Sequence, residues 1–102
     1  MRAIEKLCEA ITDELEGAKE YAEKYVEMKS FPETNFSQKY REMAYDELKH
    51  AGYMKEIAEK RIRDIGNVVT LNTEDEELWH RTQKKYHECV AIIKLMLQET
   101  RQ

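Results

Sequence analysis

Residues 36–65 read FSQKYREMAYDELKHAGYMKEIAEKRIRDI, an amphipathic run that carries two polar residues on its apolar side. On a helical wheel of about 100° per residue, Phe36, Tyr40, Met43, Ala51, Met54, Ile57 and Ile65 gather on one face. Glu47 falls near the centre of that face, and His50 lies within about 60° of it by the same arithmetic. A carboxylate and an imidazole are costly to bury unless something binds them. Spaced as Glu-x-x-His on one inward face, they can grip a single metal ion. Ala44, Leu48, Ala58 and Ile62 widen the apolar face, which predicts that this helix touches more than one neighbour.

Two further helical segments flank this one. Ile4, Leu7, Ile11, Leu15, Ala18, Ala22 and Tyr25 recur by threes and fours and predict a helix over residues 3–29. Ser30-Phe31-Pro32 breaks it, because proline disfavours helix in the residue before it. The second helix is expected over residues 34–65, with Asn35 and Gln38 as a capping box and Gly66-Asn67 as its stop signal. Residues 68–72 read as an extended, partly apolar connector laid over the core. Thr73-Glu74-Asp75-Glu76 is a second capping box that opens a third helix over residues 74–100. The expected fold is all-α and forms one small domain across residues 1–102. Two copies of the first helical hairpin would pack into a four-helix bundle.

Composition narrows the function. The net charge is −4, acids and bases are interleaved, and no basic stripe or helix-turn-helix is visible, which argues against nucleic-acid binding. No apolar run approaches the roughly 18–20 residues that span a bilayer, and the N-terminus lacks a signal-type apolar core. No membrane association and a cytoplasmic location are therefore expected. Cys8 and Cys89 are far apart in sequence and read as reduced thiols in the core.

A metal held by Glu47 and His50 alone would be weakly bound, so the first helix should supply another ligand. Glu5, Glu9, Glu16, Glu20, Glu23 and Glu27 point about 120–180° away from its apolar stripe. Glu14 lies within about 70° of the stripe and becomes the expected third ligand. On the third helix His80, His87 and Glu88 face outward, and Asp75 is explained by the helix dipole.

These residues resemble the ferritin-like di-iron carboxylate superfamily. The segment Glu14-Leu15-Glu16-Gly17-Ala18-Lys19-Glu20-Tyr21 resembles its Glu-x6-Tyr signature, and Glu47-Leu48-Lys49-His50 its Glu-x-x-His. Full-length members carry this helix pair twice, whereas this chain carries it once. It is therefore similar to the half-length members, such as the encapsulated ferritins, in which two chains meet at one site. The C-terminus shows no cargo-type apolar peptide, and a rubredoxin module is absent from the sequence.

The resemblance implies a homodimer or larger homo-oligomer holding two iron ions, or manganese, per dimer. Glu47 would bridge the metals, Glu14 and His50 would be terminal ligands, and Tyr21 would be a nearby hydrogen-bond donor or radical trap. The implied activity is oxidation of ferrous iron by dioxygen or peroxide. The alternative expectation is a metal-free helical scaffold or interaction protein, in which the same polar residues fix the dimer register.

Overall fold

A computed structural model of the chain describes residues 1–31 and 34–98. Three helices make up the architecture: α1 (Arg2–Met28), α2 (Thr34–Val68) and α3 (Thr73–Leu97). The Cα envelope measures 56 × 17 × 17 Å. At about 1.5 Å per residue, α2 alone spans nearly all of that length, so the molecule is a rod built along its longest helix.

The stripe expected on α1 forms the spine of the core. Ile4, Cys8, Ile11, Leu15, Ala18, Ala22 and Tyr25 are all buried. α1 packs on both other helices, whereas α2 and α3 meet each other only sparsely. Within the chain α1 has two close neighbours, whereas α2 has one close neighbour and a sparse contact with α3. α2 runs antiparallel to α1, since Gly17 and Glu14 of α1 lie beside Glu47 and His50 of α2. α3 runs parallel to α1. The Met1 ammonium donates to the Asp75 carboxylate at 2.6 Å at one end, and Tyr25 shares a core cluster with Ile93 and Leu97 at the other.

On α2 the buried apolar residues are Ala44, Leu48, Ala51, Ala58 and Ile62, spaced by fours, threes and sevens. This stripe is turned by about 60–80° from the face centred on Glu47. Phe36, Met43 and Ile57 are exposed, and Tyr40, Met54 and Ile65 are half-buried. Small residues line the seam because alanine lets two helix backbones approach closely, and bulky residues at the same positions would hold them apart.

Several boundaries differ from the sequence reading. α2 continues through Gly66 and Asn67 to Val68, and the Val69 N–H donates to the Ile65 carbonyl at 2.9 Å. Gly66 keeps a negative φ, so it is a tolerated helical residue and not a left-handed cap. In the connector only Leu71 packs on the core, while Val68 is 84% and Val69 44% exposed. The cap of α3 is Asn72, whose side chain accepts from the Asp75 N–H at 2.8 Å. Asparagine caps as well as threonine, and its position one residue earlier won. Asn35 lies inside α2 instead of preceding it, and the capping position at residue 33 falls outside the described residues. Residues 99 and 100, expected to end the third helix, also fall outside them.

Asp75 does more than offset a helix dipole. It is 5% exposed and holds the Met1 ammonium, raising that amine's pKa above its ordinary value. Cys8 and Cys89 are free thiols, and burial pushes the Cys8 pKa up. Among the described residues, no helix is long and apolar enough to cross a membrane.

Candidate metal centre

Glu14, Glu47 and His50 come together at the waist of the α1–α2 seam. One core cluster reaches them through Ile11, Leu15 and Ala51, and a second begins at Ala18 and Leu48. Glu14 sits on the α2-facing flank of α1 because it is one turn from both Ile11 and Ala18, which are buried. Leu48 and Ala51, each adjacent to a site residue in sequence, are anchored in the same seam and set the height of Glu47 and His50 along it.

One donor atom from each of the three side chains lies within 4.8 Å of the others. His50 Nδ1 is 3.7 Å from Glu14 Oε2 and 3.8 Å from Glu47 Oε1. These separations are too long for good hydrogen bonds. They suit a shared ion better: ligands about 2.1 Å from one metal stand about 3.0 Å apart at right angles and about 4.2 Å apart across it. Two carboxylates and an imidazole form a mixed oxygen and nitrogen donor set that could hold a metal ion.

The electrostatics are those of a site short of positive charge. Its hydrogen bond with Glu14 raises the Glu47 carboxyl pKa above the ordinary glutamate value. Burial and the Glu14 charge add to the shift, while His50 opposes it. Among the described residues, neither Glu14 nor Glu47 has a Lys or Arg within ion-pair distance.

The site is a rim and not a sealed pocket. The side chains of Glu14, Glu47 and His50 are 30%, 27% and 51% exposed, so one side of the cluster opens outward. That open side is the flank of α2 that carries the exposed Phe36, Met43 and Ile57.

Tyr21 lies two turns beyond Glu14, about 10 Å along the helix axis, and its ring meets Tyr40 at a centroid distance of 6.3 Å. The other α1 glutamates named above, together with His80, His87 and Glu88, are exposed as expected. One neighbour of the site escapes a reading based on ligand types. A Cβ on Gly17 would stand 3.0 Å from Glu47 Oε2. The available signal was a glycine inside a long helix, three residues after Glu14.

Comparison with protein-family models, with curated proteins and with solved structures finds no match.

Proposed function

We propose that this chain is a ferritin-like metal-binding protein whose centre is completed when two copies pack their α1–α2 hairpins together. The observation that carries the reading is the convergence of Glu14, Glu47 and His50 on one outward-opening cluster. One copy provides three ligands, too few to saturate a transition metal. Two copies related by a twofold axis would offer four carboxylates and two imidazoles, enough for two ions.

The surroundings support such pairing. Phe36, Met43 and Ile57 are exposed along the same flank of α2 as His50, with half-buried Met54 and Tyr40 on that side too. An apolar surface around partly exposed acids is what a bundle interface looks like when its second half is missing. In the paired state Glu14, Glu47 and His50 of both copies would hold the metal. The apolar border would exclude bulk water and strengthen each ligand contact. Tyr21, packed on Tyr40, would be a hydrogen-bond donor or radical trap two turns along the helix. Iron bound there would supply electrons to dioxygen or peroxide, giving a ferroxidase-type activity.

Anaerobic titration of the chain with ferrous iron, followed by mass measurement of the native assembly, tests the proposal. The expected result is two ions per two chains, with the assembly weakened by chelator. A chain that stays metal-free after this titration would sink it.

The second reading is a metal-free interaction protein that uses the same apolar flank. The exposure of Phe36, Met43 and Ile57 favours it in part, since such a surface needs a partner whether or not metal is present. An assembly indifferent to chelator supports this second reading.

A further inference from the structure

The chain has three glycines, and they differ sharply in what a side chain would meet. At Gly66 an added Cβ finds nothing within 4 Å, and at Gly52 it makes an ordinary 3.5 Å contact with the Tyr86 hydroxyl. At Gly17 it would stand 3.0 Å from Glu47 Oε2, 3.5 Å from Cδ and 3.7 Å from Cγ. The outer half of the Glu47 side chain therefore lies across the bare backbone of Gly17.

Backbone conformation does not explain this glycine. Gly17 is in the middle of α1 with a negative φ that any residue adopts. Glycine there lowers helix stability relative to alanine. The one thing its missing Cβ provides is room, and the atom occupying that room belongs to the proposed metal centre. Gly17 also stands one turn from Glu14, so the notch and the Glu14 carboxylate face the same part of α2.

We propose that Gly17 is a positioning residue for the metal centre, a notch in α1 that seats the Glu47 carboxylate beside Glu14. The inference rests on the reading of Glu14, Glu47 and His50 as ligands. A Cβ in the notch displaces the carboxylate by a few tenths of an ångström or rotates it out of line with Glu14 and His50. Metal geometry is sensitive to shifts of that size. A helix with alanine at this place is more stable yet holds a worse site, so the two properties move in opposite directions.

The test compares wild type with Gly17→Ala and Gly66→Ala, using cobalt(II) as a spectroscopic probe under metal-free starting conditions. Thermal unfolding of each metal-free protein is followed by circular dichroism. Gly17→Ala and Gly66→Ala should both melt at or above the wild-type temperature. Cobalt affinity should fall about ten-fold in Gly17→Ala, with altered visible absorption bands, and stay at the wild-type value in Gly66→Ala. Wild-type affinity and bands in Gly17→Ala would overturn the notch while leaving the metal centre standing. A lowered melting temperature in Gly17→Ala would overturn it too, because the glycine would then serve helix packing. If wild type binds no cobalt, the metal reading itself fails and the positioning role falls with it.

Discussion

α1 and α2 are both long amphipathic helices, yet they spend their apolar residues differently. On α1 the buried positions include the large Ile4, Ile11, Leu15 and Tyr25, and the acids Glu5, Glu9, Glu16, Glu20, Glu23 and Glu27 face water. On α2 three of the five buried apolar positions are alanines, while Phe36, Met43 and Ile57 stand outside. A helix between two neighbours must fill space on a broad arc. A helix with one close neighbour inside the chain fills a narrow seam and leaves its bulkier residues outside it. The contrast teaches that residue size, not only hydropathy, tells which apolar face meets the chain's own core.

Four experiments break or sharpen this contrast. The largest effect is expected in α1. Ile11→Ala, fully buried in the seam, should lose about 2–5 kcal/mol of stability in urea titration, a large part of what a small domain has. A loss under about 1 kcal/mol would mean that α1 is not the spine.

Next comes the rim between the helices. Glu47→Ala should weaken metal binding at least as much as the ~100-fold upper range for outer-shell partners, with little loss of helicity. Titration calorimetry beside far-ultraviolet circular dichroism reads both, and retained affinity would remove Glu47 from the site.

Third, Ile57→Glu on the outer flank of α2 should change the metal-free stability of the isolated chain by no more than about 0.5 kcal/mol, because Ile57 is 46% exposed. It should nonetheless prevent pairing in sedimentation velocity and lower the metal bound per chain. Unchanged assembly would mean that this flank is not the interface.

The smallest effect concerns protons. The Glu47 pKa is raised in the folded chain, so the native state holds a proton that the unfolded chain releases earlier. Stability of the metal-free protein should therefore be greater below the ordinary glutamate pKa and decline as pH rises through the raised one. Glu47→Gln should flatten that decline. Metal affinity should run the opposite way, increasing with pH over the same window as the competing proton leaves. A stability profile that rises there would contradict the geometry of the Glu14–Glu47 pair.

Much of the candidate site's geometry was legible from residue order, for a specific reason. Glu14 is one turn from Ile11 and Ala18, and His50 is next to Ala51, so a reading of α1 and α2 as helices already places both near a seam. The orientation of α2 was less legible. Phe36, Met43 and Ile57 outweigh Ala44, Ala51 and Ala58 on any hydropathy scale, and they pulled the expected centre toward Glu47. Glu47 and His50 consequently sit at a rim and not in the interior, though still beside Glu14. The notch at Gly17 was invisible because a glycine announces freedom of the backbone before it announces room for a distant side chain.

Residue order alone settled three helices, their approximate limits and the inward stripe of α1. Those are properties of local periodicity, and a wheel captures them. Which flank of α2 closes on α1, how Met1 comes to neutralise Asp75 and where Glu47 finds space are matters of contact between distant segments. Only packing resolves these, because close approach of two backbones depends on the sizes of residues far apart in the chain.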